Sequence, residues 1–247
     1  MKMDEKKIKI VGRVLLENHD EFEDWPWLNG ALKENRAATK EEANNFFIGA
    51  MMDRQMPSDA AWKNTEELTQ EFLGNPANIW EEILSMPESE WNLAWQKRKF
   101  HRFVNRMSKC IRDNAKIMVS EYQSDARKIW QHQSGGEIKE NLEGFSGIGP
   151  ALSDMILGAL QDTKQINTEK PLNVKADVHV CRVLGRVFQG DSCESAEAIC
   201  LTKKMHPKNP WALDNSLYWL GKNRCFAKNP NCKECYLAEQ CEYNKRN

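Results

Sequence analysis

No stretch of this chain approaches the ~20 consecutive apolar residues needed to span a bilayer. The densest apolar run, Phe46-Phe47-Ile48-Gly49-Ala50-Met51-Met52, falls far short of that, and a membrane-spanning protein is excluded. The N-terminus, MKMDEKKIKIVGRVLLEN, breaks its apolar residues with charge and lacks the continuous core of a secretory signal. The expectation is a cytoplasmic protein. Charge of one sign is also missing: 35 basic residues face 36 acidic ones, for a net charge of −1. That excludes a uniformly basic nucleic-acid coat but leaves room for local basic patches. Alternating β-branched runs are nearly absent, and there is neither a repeat of fixed period nor a low-complexity tract.

What is present is helical periodicity. At roughly 100–200 residues per domain, a chain of 247 residues forms one large domain or two small ones. Hydrophobic residues at 40%, with 13 glycines beside them, put it at the low edge of the globular range, enough for a core. Apolar residues recur every three or four positions, which predicts an all-α fold. Ile8, Val11 and Leu15 mark a first helix that ends near the acidic, Trp-rich NHDEFEDWPWLNG. Further helices are predicted over Lys40–Met52, Asn64–Leu73 and Pro76–Met86, and over a basic segment from about Lys97 to Glu121. Gln133–Gly136 and Asp162–Lys170 read as connections.

The basic segment carries Lys97, Arg98, Lys99, Arg102, Arg106, Lys109, Arg112 and Lys116 against one acid, Asp113. It reads equally as a solvated helix face and as a phosphate-facing surface. Of the eight cysteines, Cys225, Cys232, Cys235 and Cys241 crowd the C-terminal end with the spacing C-x6-C-x2-C-x5-C. A disulfide framework does not suit a chain of this size without an export signal, so the cluster indicates metal. Structural zinc usually pairs two short knuckles, and here there is one, Cys232–Cys235. The long first loop suits a bulkier four-iron cluster, but zinc stays open on spacing alone. Cys110, Cys181, Cys193 and Cys200 read as buried small hydrophobes.

Two further motifs stand upstream. Leu142-Glu143-Gly144-Phe145-Ser146-Gly147-Ile148-Gly149-Pro150-Ala151 joins two helical patterns, with Pro150 at a first-turn position. It is either an ordinary interhelical turn or a hairpin whose backbone N–H groups bind phosphate. In Ala176-Asp177-Val178-His179-Val180-Cys181-Arg182-Val183, Asp177 is placed to N-cap the helix that follows.

The cysteine spacing resembles the cluster loop of the endonuclease III family of DNA glycosylases, which also includes MutY-type adenine glycosylases. NSLYWLGKNRC leads into it as a helix with Leu213, Leu217 and Leu220 on one face, closed by Gly221. The glycine hairpin is similar to the family's L-P-G-x-G, with Phe145 and Ser146 in place of Leu and Pro, and the Asp177 segment to V-D-x-H-x-x-R-V. The three motifs stand in the family's order and cover the chain from about Leu142 to its end.

The resemblance implies two helical lobes with a DNA-binding cleft, residues 41–162 forming one and residues 1–40 with 163–247 the other. It implies a [4Fe–4S] cluster on the four cysteines and Asp177 as the catalytic carboxylate. It also implies phosphate contacts at Gly147, Gly149 and Lys228, and Gln55 filling the gap left by a flipped base. His179 and Arg182 are given structural roles. The partner would be duplex DNA with a flipped lesion base, bound by a monomer with no membrane involved, on the nucleoid if the source is prokaryotic. The reaction would be hydrolysis of the N-glycosidic bond of a damaged or mismatched base.

Departures from the family sharpen this. Ala151 stands where bifunctional members carry a lysine nucleophile, so a monofunctional enzyme is expected. Lys175 is the alternative nucleophile, because an extended approach to the helix would put it on the same side as Asp177. Gln161–Asn173 reads as an insertion, and Pro57-Ser58-Asp59 departs from the family spacing after Gln55. The six residues after Cys241 leave no room for the domain with which MutY-type enzymes read oxidised guanine, so a different substrate is expected. Outside catalysis, a DNA-binding protein of the same fold that binds without base release, or a zinc-bearing structural protein, would share these motifs.

Overall fold

The computed structural model describes residues 4–18, 31–34, 36–74 and 77–246. They contain helices and no strand, in agreement with the all-α expectation. Contacts divide the chain into two compact units, one of Met1–Glu23 with Lys170–Asn247 and the other of Asp24–Glu169. No helix among the described residues is long and apolar enough to cross a membrane.

The first unit is built from α1 (Glu5–Glu17), α9 (Val178–Phe188), α10 (Ser195–Met205), α11 (Asp214–Asn223) and α12 (Glu242–Arg246). Val180, Val183, Leu184 and Val187 recur at helical spacing on α9 and bury one stripe against Val11, Leu15, Leu201, Leu217 and Leu220. The second unit holds α2 (Lys40–Met52), α3 (Ser58–Glu66), α4 (Ile79–Ser85), α5 (Glu88–Arg98), α6 (Val104–Tyr122), α7 (Gly135–Glu143) and α8 (Pro150–Asp162). Its core is aromatic: Trp80, Trp91, Trp95, Phe46, Phe47 and Phe100 are fully buried.

Local chemistry sets several helix starts. Thr39 and Glu42 form a capping box on α2, and Ser134 and Glu137 form another on α7. Pro150 opens α8 at its first turn. Gly135 and Gly136 therefore belong to a helix and not to the connection expected there.

Three helix assignments need correction. The basic segment is not one helix. α5 ends at Lys99, which takes a left-handed φ of 54°, and α6 begins only at Val104. The cause is burial of Phe100, whose ring lies 5.3 Å from Trp95 and 5.7 Å from Phe72. Drawing that ring into the core breaks the periodicity. The helix expected from Asn64 starts earlier, at Ser58, and widens into a π turn over Glu67–Phe72. The helix expected from Pro76 begins at Ile79; Pro76 itself, like most of the Trp-rich segment after α1, lies outside the described residues.

Candidate functional site

In the first unit, Asp177 is the N-cap of α9. Its Oδ1 accepts from the backbone N–H groups of His179 at 2.8 Å and Val180 at 3.1 Å. Oδ2 makes no hydrogen bond to the described residues. One carboxylate oxygen is thus held by two amides at the positive end of a helix, and the other is open. The half-exposed side chain sits beside Val178, which is apolar yet 71% exposed.

Arg182, one turn along α9, explains how this cap is held. Its guanidinium donates to Cys225 O at 2.6 Å and Gly221 O at 2.7 Å, and meets His179 Nδ1 at 3.0 Å. The structural roles given to His179 and Arg182 match these bonds. Gly221 does not close the preceding helix, because α11 runs on to Asn223. Its purpose is close approach: a Cβ there would lie 2.6 Å from His179 Cβ and 3.0 Å from its Cα. The glycine lets α11 press against the turn that carries Asp177.

Lys175 is not presented by an extended strand. The Asp177 N–H donates to Lys175 O at 2.6 Å, closing a γ-turn, and the Lys175 N–H donates to Asp214 Oδ1.

Cys225, Cys232, Cys235 and Cys241 line one pocket of about 360 Å³, counting its open mouth, with Val183, Val187 and Leu220 at its apolar wall. Among the described residues no three His, Cys, Asp or Glu side chains converge tightly enough to hold a single metal ion.

Charge in the pocket fits metal held by thiolates. Arg186 is 8% exposed and donates to Phe226 O at 2.7 Å, Ala227 O at 2.9 Å and Cys225 Sγ at 3.3 Å. Its guanidinium stacks over Tyr243 at 4.5 Å. A buried cation with only neutral carbonyls and a thiol around it calls for negative charge, which metal-bound thiolates on these cysteines would supply. Burial pushes the Cys235 thiol up to about 11. Cys232 is pushed up by burial and then by Cys241 and Cys225. Metal binding would displace those protons.

Lys228 is exposed in the loop between the first two of these cysteines. The other cysteines are a mixed set. Cys110 and Cys181 are buried and Cys193 half-buried, but Cys200 is exposed on α10, contrary to its reading as a buried hydrophobe.

In the second unit, the hairpin between α7 and α8 is anchored by Phe145, whose ring packs 4.8 Å from Phe47. Phe145 is thereby buried in the core of this unit. Asn114 on α6 clamps Ser146 at both ends, accepting from its N–H at 2.8 Å and donating to its carbonyl at 3.0 Å. The N–H groups of Gly147, Gly149 and Ala151 have no partner among the described residues. Gly147 has a φ of +82°, the left-handed region, whereas Gly149 is extended. Three free amides at a helix start form an anion-binding arrangement.

Gln55 is exposed in the turn between α2 and α3, with a φ of 56° and its carbonyl held by Arg102 at 2.8 Å. The preceding residue, Arg54, donates to Gly147 O at 2.6 Å, so the structure brings the Gln55 turn and the hairpin together. Much of the basic segment works internally. Arg112 caps the end of α4 through Ile83 O and Leu84 O, Arg98 pairs with Glu67, and Asp113 pairs with Lys109 and Lys116. Lys97, Lys99 and Arg106 remain exposed without a partner among the described residues. The sequence reading missed Arg54, Asn114 and Arg186. Each acts through contacts remote in the chain that no local pattern marks.

The all-helical fold built around this glycine hairpin and capping aspartate is shared with solved structures of endonuclease III. An endonuclease III in non-covalent complex with DNA superposes at a TM-score of 0.70 and 16% identity, covering 99% of this chain and 98% of that one. A thermostable thymine-DNA glycosylase superposes at 0.67 and 15% identity, with 98% of each chain covered. In sequence the chain is related to endonuclease III of Thermotoga maritima, 25% identical over 191 residues that span 74% of this chain and 77% of the relative. No family model matches the sequence.

Proposed function

We propose that this protein is a base-excision-repair DNA glycosylase that hydrolyses the N-glycosidic bond of a damaged or mismatched base. The observation that carries the reading is the divided role of the Asp177 carboxylate, one oxygen fixed by two amides and the other open. As the base leaves, positive charge develops on the sugar, and a fixed carboxylate stabilises it without reorganising. The open oxygen orients the attacking water and accepts its proton. The target nucleotide leaves the stack to reach this group, and Gln55 fills the gap. The amides of Gly147, Gly149 and Ala151, with Lys228, hold backbone phosphates.

Ala151, at the start of α8, supplies no amine to attack the sugar. Water is therefore the nucleophile and the product strand stays intact. Cys225, Cys232, Cys235 and Cys241 would hold a [4Fe–4S] cluster, which when bound orders the C-terminal loop. Arg186 and Arg182 fasten that loop to α9 and hence to Asp177. The protein acts as a monomer on duplex DNA in the cytoplasm.

A panel of duplexes bearing uracil, thymine opposite guanine, oxidised pyrimidines and alkylated purines tests the reading. One of them should release its base, and Asp177→Asn should slow single-turnover release about a hundredfold or more while DNA binding persists. Tight binding with no base released from any duplex would leave a non-catalytic DNA-binding protein.

A further inference from the structure

Arg54 does more than its place in a loop requires. Its Nη1 donates to Gly147 O at 2.6 Å, and its Nη2 reaches Met107 Sδ at 2.8 Å and Cys110 Sγ at 3.1 Å. The Cys110 thiol in turn donates to Ser146 O at 2.9 Å. The guanidinium lies so close to Gly147 that a Cβ there would be 1.7 Å from Nη1. The backbone of the same residue is fixed from the other side. Buried His101 accepts the Phe103 N–H on Nδ1 at 3.0 Å, so its proton sits on Nε2 and is donated to Arg54 O at 3.1 Å. Arg102 then holds the carbonyl of Gln55. Side chain and main chain of one residue thus tie two loops that are 93 positions apart.

We propose that Arg54 is a positioning residue that locks the Gln55 turn onto the glycine hairpin. One rigid piece then carries both the amides that grip phosphate and the side chain that fills the gap of a flipped nucleotide. A duplex seated on the hairpin meets Gln55 already at the right depth, so the ordering cost of insertion is met before DNA arrives. The planar guanidinium suits this, because it can engage a carbonyl and two sulfurs at once, which a lysine ammonium cannot do in one plane. The inference rests on the glycosylase reading for what the locked piece does, but the lock itself can be observed without DNA.

The test uses the full chain as wild type, Arg54→Ala, Arg54→Lys, Gln55→Ala and the Arg54→Ala/Gln55→Ala double variant. Amide hydrogen exchange without DNA comes first. Both Arg54 variants should speed exchange of the hydrogen-bonded amides of residue 54, Ser146 and Ile148 together, while Gln55→Ala leaves the two hairpin amides unchanged. The second arm is binding to two duplexes, one intact and one with a tetrahydrofuran abasic analogue. Wild type should prefer the abasic duplex. Arg54→Ala, Arg54→Lys and Gln55→Ala should each lower that preference by about tenfold, and the double variant no further. Arg54→Lys keeps the charge, so a lost preference there is due to geometry. Unchanged hairpin exchange in both Arg54 variants, or additive losses in the double variant, would overturn the proposal. A wild type without any abasic preference defeats the reading of Gln55 and of the reaction, and the exchange arm distinguishes that failure from failure of the lock.

Discussion

Replacing Gly221 by alanine puts two opposing effects on one atom. Gly221 lies inside α11, where alanine is ordinarily better than glycine by about 1 kcal/mol. Here the added methyl would sit 2.6 Å from His179 Cβ, 3.0 Å from its Cα and 3.1 Å from its Nδ1. Two of those atoms belong to the stem of the side chain and the main chain, which cannot swing aside, so α9 and α11 must separate. Overpacking of this kind costs about 1–3 kcal/mol, occasionally more. Set against the helix-propensity gain, the net is a destabilisation of up to about 2 kcal/mol, or a fall in melting temperature of up to roughly 8 °C for a chain of this size. The shift also moves His179, whose N–H binds Asp177 Oδ1, so single-turnover base release should slow while DNA affinity holds. Gly136→Ala is the matched control. Its Cβ would meet nothing within 4 Å, and the change should be neutral or slightly stabilising. Thermal unfolding of the two variants beside wild type decides the matter. A Gly221→Ala protein more stable than wild type by the full ~1 kcal/mol of helix propensity would refute the argument that this glycine is kept for close approach.

Other outcomes follow from the same geometry. Burial, with Arg54 and Arg102 nearby, holds the His101 pKa below its ordinary value of 6.5. The unfolded chain therefore takes up this proton first. The stability that neutral His101 contributes is present in full above pH 6.5 and lost as pH falls through the folded value; urea midpoints from pH 7.5 downward should fall less in His101→Asn. Purified protein should be brown with close to four irons per chain, and stoichiometric zinc without iron would defeat the cluster assignment. Arg186→Met should speed loss of iron-derived absorbance in chelator, because the buried guanidinium no longer offsets the thiolates or holds Phe226 and Ala227. Borohydride should trap no covalent adduct on a cleavable duplex; an adduct that vanishes in Lys175→Ala would make Lys175 a nucleophile.

Much of this was legible before any coordinates, wherever the cause lies within a few residues of its effect. The span of α2 from Lys40 to Met52 and the capping place of Asp177 both follow from patterns of three to four residues. A cap and its helix are neighbours in the chain, and the hydrogen bonds that join them are local. The cysteine spacing, too, limits what four thiols joined by short loops can surround.

What only the tertiary structure decided is where remote segments press together. Nothing near Lys99 announces that Phe100 will turn inward and split a basic helix in two; the cause is an aromatic core assembled from residues on other elements. Gly221 reads as a helix stop in the sequence and proves to be a contact with His179, because the atom it makes room for belongs to another helix. Cys200 reads as a small buried hydrophobe by residue type and yet faces solvent, since the buried stripe of α10 runs through Ala198, Leu201 and Thr202. Arg54 looks like a polar loop residue and holds Gly147 across 93 positions. The sequence by itself determined the all-helical class, the span of α2 and the capping place of Asp177. Folding decided which of the motifs share a rigid piece, because a contact between distant residues depends on every element packed between them.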